Sequence, residues 1–317
     1  MSGFLVKNPG ALTTVQDRGR MGAQGLGFGT AGAMDLQSLF LLNILLGNDL
    51  NEAALEATLL GPEITFLEDN CFALTGADMG ATLDGVPVPR YEAVTAKEGS
   101  VLKLGFAKSG VRAYIGFAGG MEIPMVMGSK STSLKYHLGG VEGRALLSGD
   151  RISFTAPRKE LRHQKRRKLD VPDFSAKEQD IRVVLGMQQE YFTKEGIRTF
   201  FESPYEISGQ SDRMGYRLEG EPVSYEDTVD IISDAIVPGA IQIPSNGKPI
   251  ILMADRQTTG GYAKIGAVIS ADLPRLAQMG PGAVIHFKEV SEEEAQELFA
   301  KERKEMIKQN RRMNRWL

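Results

Sequence analysis

From residue 53 to 156 the chain is a succession of short apolar or alternating runs, at 63–66, 71–75, 81–88, 93–96, 101–104 and 112–117, each bounded by turn residues. Runs this short and this closely spaced cannot be helices and read as the strands of a barrel or sandwich. Asp84-Gly85, set between Thr82-Leu83 and Val86-Pro87-Val88, is a two-residue hairpin signal, because the tight turns that suit strand twist need positive φ. The pattern resumes at 181–185, 205–208, 241–243, 249–253, 267–270 and 284–287, with a short helix around 188–200.

Two longer helices punctuate these strands. Residues 33–47 carry Asp35 as an N-cap, an apolar body over 36–46 and a stop at Gly47-Asn48. Near the end, Ser291 and Glu294 form a capping box, acidic residues fill the first turns, and Lys308, Arg311, Arg312 and Arg315 fill the last, as the helix dipole prefers. Between Pro157 and Pro172 lies a basic, aperiodic stretch, 158–168, which reads as a solvated linker because a charge run adds little to a core. The expected organisation is therefore mainly β with minor α: a β-barrel domain over 1–157 containing the helix 35–46, a basic linker at 158–175, a second β-barrel over 176–290, and a C-terminal helix at 291–317. A length of 317 residues suits two cores.

Composition removes several functions. The 37 basic and 40 acidic residues give a net charge of −3, so the overall field favours neither nucleic acid nor an anionic membrane. No window reaches the ~18–20 apolar residues of a membrane span. A single cysteine, Cys71, sits in an apolar run, which excludes an intrachain disulfide and reads as a buried thiol. A cytoplasmic location is expected. The three histidines, His137, His163 and His286, lack metal-type spacing, so no metal site is expected, and no Gly-x-Ser-x-Gly elbow is present.

Two glycine-rich segments imitate nucleotide motifs. Gly27-Phe28-Gly29-Thr30-Ala31-Gly32 matches a dinucleotide fingerprint by count, yet no apolar parallel strand precedes it. Gly128-Ser129-Lys130-Ser131-Thr132 separates glycine from lysine and so is not a phosphate-binding P-loop of the Walker type. Amides, hydroxyls and an ammonium in one loop nevertheless suit a carboxylate or phosphate. Ser211-Asp212-Arg213-Met214-Gly215 sets an acid beside a base, and Gln242 stands alone in an apolar strand, where its amide needs a partner. The densest chemistry is Asp255-Arg256-Gln257-Thr258-Thr259-Gly260-Gly261-Tyr262, followed by Lys264. It lies directly after a strand, where polar loops on a rigid sheet commonly form sites.

In this order the motifs resemble the carboxyltransferase-domain family that includes the C subunit of 5-oxoprolinase, the allophanate hydrolase subunit 2 proteins and the carboxyltransferase part of urea carboxylase. The resemblance is carried by Thr13-Thr14-Val15-Gln16-Asp17-Arg18-Gly19-Arg20, Gly32-Ala33-Met34-Asp35, Leu60-Gly61-Pro62, Ala118-Gly119-Gly120, Gly128 to Thr132, Gly139-Gly140 with Gly143-Arg144, Ser211 to Gly215, Gly239 to Pro244, and Asp255 to Tyr262. It departs at Lys130, where arginine is expected, and at Gly186-Met187-Gln188, where Gly-Pro-Gln is expected. The resemblance implies two cyclophilin-like β-barrels and one member of an enzyme complex. Its implied partners are the 5-oxoprolinase B subunit, in a close heteromer, plus a LamB/YcsF-type A subunit. Together these open 5-oxo-L-proline to L-glutamate with ATP and Mg2+, which enter at the level of the complex.

On that reading Lys130, Arg144, Arg213 and Lys264 stabilise negative charge. Asp255 or Asp212 handles protons, with Lys264 as a further catalytic candidate. Ser129, Ser131, Gln242, Gln257, Thr258, Thr259, Gly260, Gly261 and Tyr262 contact the substrate. Two alternatives share the resemblance: biotin-dependent carboxyl transfer to urea or a related amide, and regulation by antagonising a kinase inhibitor.

Overall fold

The computed structural model describes residues 2–186 and 188–315, so Met187 of the departing tripeptide and the last two residues of the expected C-terminal helix lie outside the described residues. The chain divides into two compact units that exchange segments along the sequence: residues 1–21, 31–175 and 305–317 form the first, and 22–30 with 176–304 the second.

In the first unit one sheet runs in the order Arg151–Ile152, Phe4–Asn8, Glu63–Phe66, Val101–Lys103, Thr82–Leu83, Val86–Pro87, and the other in the order Leu12–Gln16, Ala54–Thr58, Ser109–Phe117, Asn70–Asp78, Ala93–Ala96. Alternation along the long strands decides what is buried where. Phe72, Leu74, Ile115 and Phe117 point into the core shared with Phe4, Phe66 and Phe154, whereas Cys71, Ala73 and Tyr114 point to the opposite face. Phe4 stacks on Phe117 with ring centroids 4.7 Å apart.

That opposite face is covered by helix α1, Leu36–Leu46, and this is why both sides of the central strands are apolar. The helix begins as its sequence requires: Asp35 accepts from the Ser38 amide at 2.9 Å and from the Ser38 hydroxyl at 2.6 Å. It ends at Gly47, whose φ of 63° is the left-handed value expected of a glycine stop. Cys71 is fully buried, and burial pushes its thiol upward.

The basic stretch departs from the linker expected of it. Residues 158–175 belong to the first unit, with Leu161 and Arg167 buried. Arg167 donates to the Leu45 carbonyl at 3.0 Å and to the Asn314 side chain at 2.9 Å, and Asn314 donates to the Ile44 carbonyl at 3.0 Å. A cation on the last carbonyls of α1 meets the negative end of the helix dipole, so capping offsets the burial of this arginine. Composition could not show this, because it depends on which one of several basic residues turns inward.

The second unit is a closed seven-stranded barrel in the order Glu178–Leu185, Lys264–Val268, Ala240–Gln242, Ile250–Leu252, Gly215–Gly220, Pro204–Ile207, Val284–Glu289. The last strand closes on the first in parallel, with Ile181 opposite Phe287. Ile181, Tyr216, Leu218, Ile241, Ile251 and Phe287 are buried. Helix α2, Lys194–Glu202, is capped by Thr193 and stacks Phe200 on Phe287 at 4.3 Å. A separate two-stranded antiparallel sheet pairs Asp230–Ala235 with Thr259–Tyr262, two strands that flank the barrel strands Ala240–Gln242 and Ile250–Leu252 in sequence. Helix α3 is the single turn Leu273–Ala277, and α4, Glu292–Asn314, opens on the expected capping box, with the Ser291 amide 3.0 Å from Glu294. Mainly β architecture with a C-terminal helix is as expected. Among the described residues, no helix is long and apolar enough to cross a membrane.

Candidate functional site

In the first unit the loop Gly128 to Thr132 is organised by Asp17, a residue 112 to 114 positions away in sequence. Asp17 is buried and accepts from the Ser129 hydroxyl at 2.7 Å, the Ser131 hydroxyl at 2.5 Å, the Lys130 amide at 2.7 Å and the Gly19 amide at 2.8 Å. Four donors on one carboxylate replace the water it loses. Both serines named from sequence are therefore occupied in shaping the loop. The Lys130 ammonium is held by Glu52 at 2.6 Å and by the Met121 carbonyl at 2.9 Å. Arg144 forks onto Asp150 at 2.8 and 2.9 Å, with Glu142 beside it, and this pairing raises the guanidinium and lowers the Asp150 carboxyl.

The second unit holds the more open chemistry. A cavity of about 400 Å³ is lined by Asp212, Arg217, Glu219, Gln242, Lys248, Gln257 and Tyr262, with Met214, Ile236, Ile250 and Leu252 supplying apolar walls. Strand register explains this set. Arg217 is opposite Ile250, Ile250 opposite Gln242, and Gln242 opposite Lys264, so the four form one row across neighbouring strands. Tyr216, Ile251 and Ile241 make the adjacent row and are buried. Side chains alternate between faces, so the row that carries Gln242 is on the outside of the barrel.

What covers that outer face is the two-stranded sheet that contains Thr259–Tyr262. Gln242 Nε2 donates to the Tyr262 carbonyl at 3.2 Å. A Cβ on Gly260 would lie 2.6 Å from Gln242 Nε2 and 2.8 Å from Ile236 Cδ1, so a side chain here would displace the Gln242 amide from its present position. Gln242 is 7% exposed. Its side-chain oxygen has no hydrogen-bond partner among the described residues, which leaves an acceptor on a residue that lines the cavity.

Around this cavity the sequence-derived residues fall into two sets. Asp212, Gln242, Gln257 and Tyr262 line it directly. Asp212 Oδ1 accepts from the amides of Met214 at 2.8 Å and Gly215 at 3.1 Å, fixing the turn and leaving Oδ2 available. Asp255, Arg213 and Lys264 instead make ion pairs. Arg213 holds both oxygens of Asp255, and the Lys264 ammonium sits 2.7 Å from Asp234. The Thr258 carbonyl accepts from the Ile236 amide, and Thr259, Gly260 and Gly261 belong to a strand of the two-stranded sheet.

Arg256 is buried, and its guanidinium reaches the Thr30 hydroxyl at 3.1 Å; loss of water pulls it down to about 10. Residues overlooked in the sequence are Asp17, Glu52, Arg217 and Asp234. Only Asp17 carried a signal, in the Asp-Arg-Gly triplet; the others owe their place to register. Among the described residues no group of three or more His, Cys, Asp or Glu is placed to hold a metal ion.

Residues 26–289 match the family model described as carboxyltransferase domain, subdomain A and B, and the chain belongs to that family. It is 41% identical over 287 residues to the 5-oxoprolinase C subunit of Escherichia coli K12, covering 90% of this chain and 91% of that one. Similarity extends to urea amidolyase of Saccharomyces cerevisiae, 32% identical over 92% of this chain, although the match spans only 17% of the yeast protein. The solved structure of Kluyveromyces lactis urea amidolyase superposes on 97% of this chain with a TM-score of 0.90 at 28% identity, and the chain spans a fifth of its length, 20%.

Proposed function

We propose that this chain is the C subunit of an ATP-dependent 5-oxoprolinase, working with its B subunit plus the LamB/YcsF-type A subunit. In this reading it receives the lactam in the cavity on the outer face of the second barrel. The observation that carries the reading is the buried Gln242, a cavity-lining residue with Asp212, Gln257 and Tyr262, whose side-chain oxygen has no partner among the described residues. A lactam presents one N–H and one carbonyl on the same edge. Gln242 accepts from that N–H, and Gln257 or the Tyr262 hydroxyl donates to the carbonyl.

Ring opening adds water across the C–N bond: the carbonyl carbon gains the oxygen and the ring nitrogen gains a proton. Asp212, with Oδ2 uncommitted, is the carboxylate we assign to that proton. In this reading Asp255 and Lys264 act indirectly. Asp255 holds Arg213 against the Asp212 turn, and Lys264 anchors the two-stranded sheet through Asp234. Lys130, Ser129 and Ser131 shape the first unit's loop. ATP with Mg2+ is supplied at the level of the complex.

Greater identity to the 5-oxoprolinase subunits than to the urea amidolyases supports this reading over biotin-dependent carboxyl transfer to urea. The family's carboxyltransferase description keeps that second reading next in line. The deciding experiment is 5-oxoproline-dependent ADP release by the complex reconstituted with its partner subunits. Gln242→Leu should raise KM by roughly tenfold or more, because an unmatched lactam N–H is costly to bury, and Asp212→Asn should lower kcat by about a hundredfold. Unaltered turnover in both variants would exclude this cavity as the substrate site.

A further inference from the structure

We infer that Arg217 makes the cavity of the second barrel selective for a small amide that carries a carboxylate, and so turns it against neutral amides. The inference rests on the reading above and adds to it a residue that no motif singled out. Two cations line the cavity, Arg217 and Lys248. Lys248 is neutralised by an ion pair with Glu219. Arg217 differs: its backbone bonds to Ser208 and Ser211, while its guanidinium makes neither an ion pair nor a hydrogen bond among the described residues. It is an uncommitted fork of five donors at the wall of a cavity.

Its distance from the lactam-facing group follows from the ladder. Arg217 pairs with Ile250 and Ile250 with Gln242, so the two polar residues stand two strands apart on one row of the outer face. At the usual strand spacing their backbones are about 10 Å apart. That spacing, with both residues lining the cavity, matches the span of one five-membered ring with a carboxylate on it. Ile250 and Leu252 form the apolar floor under the ring.

The arrangement assigns the two ends of the ligand. Lactam N–H and carbonyl meet Gln242 and its neighbours, and the carboxylate meets the guanidinium in the two-pronged geometry arginine prefers. A neutral amide such as urea or 2-pyrrolidinone would satisfy Gln242 but leave Arg217 without its counter-charge. Selectivity for the anionic ligand then resides in one side chain, separate from the groups near the reacting bond.

The test is calorimetric titration of the full chain with 5-oxo-L-proline, its uncharged carboxamide and 2-pyrrolidinone. The wild type should bind the carboxylate about tenfold or more tighter than either neutral ligand, as a charge-assisted pair predicts, and the margin should shrink as salt is raised. Arg217→Gln should erase that margin by weakening 5-oxoproline alone, and Arg217→Lys should restore part of it. Equal binding of charged and neutral ligands by the wild type overturns the role of Arg217 while leaving the cavity as the lactam site. Binding of none of the three overturns the cavity reading with it. The wild-type ligand and salt series decides even if a variant fails to fold.

Discussion

The Arg213 guanidinium grips both carboxylate oxygens of Asp255, with Nε 2.9 Å from one and an outer nitrogen 3.1 Å from the other. The side chains are only 7% and 12% exposed, so the pair is shielded from water and salt. Removing one charge from a buried pair strands the other, which typically costs about 3–5 kcal/mol. Asp255→Asn should therefore lower the unfolding free energy by roughly 3 kcal/mol in urea titrations at neutral pH. Any loss of activity in that variant has to be read against this loss of stability.

Gly260 gives a cleaner handle on the cavity. Its substitution by alanine puts a methyl group 2.6 Å from Gln242 Nε2, which must move. Overpacking of this kind costs about 1–3 kcal/mol when it cannot relax, but an end-group amide can swing aside. Gly260→Ala is expected to weaken 5-oxoproline binding by about tenfold while costing at most roughly 1 kcal/mol of stability. Titration and thermal melts on the same preparation separate the two effects.

In the first unit Asp17 anchors the loop that carries Ser129, Lys130 and Ser131. Asparagine at position 17 has one oxygen where the carboxylate has two, and its amide group faces donors. Asp17→Asn should cost about 2–3 kcal/mol, as expected for losing charged acceptors to buried donors. Faster hydrogen exchange should be confined first to residues 128–132.

Glu302 supplies a pH test. Burial, and then the nearby Asp272 charge, raise its carboxyl above the ordinary 4.5, with Arg182 and Arg275 opposing. A raised carboxyl means the folded state binds a proton that the unfolded chain has already released. The charged form thus carries a penalty that is full above the folded-state value and fades as pH falls toward 4.5. Glu302→Gln should raise the melting temperature at pH 7 to 8, and the gain should vanish below about pH 4.5. A gain that persists at acid pH would locate the effect in packing instead.

Local chemistry was legible wherever neighbours in sequence settle it. Asp35 and Gly47 marked the ends of α1, Asp84-Gly85 the tight hairpin, and Ser291 with Glu294 the start of α4. Alternation found most of the barrel strands. The strands at Phe4–Asn8, Leu12–Gln16 and Gly215–Gly220 escaped notice, since polar or glycine residues break their patterns. The site divided in the same way. Gln242, Gln257 and Tyr262 stood out as polar groups in or after apolar strands, whereas Arg217 gained meaning only from lying opposite Ile250. The choice of partner was equally hidden. Adjacency suggested Asp212 for Arg213, but Asp212 turns one oxygen to the turn amides and the arginine's partner comes from 42 residues on.

The Arg167 and Asn314 clasp on the end of α1 has a consequence for biosynthesis. Asn314 follows Arg167 by 147 residues, so on the ribosome Arg167 can cap the Leu45 carbonyl long before Asn314 arrives to complete the set at Ile44. The first unit also lends residues 22–30 to the second before the second has been made. A nascent chain that stalls short of residue 314 would thus carry two nearly complete cores and a helix end only partly sealed, a species for chaperones to hold or proteases to clear.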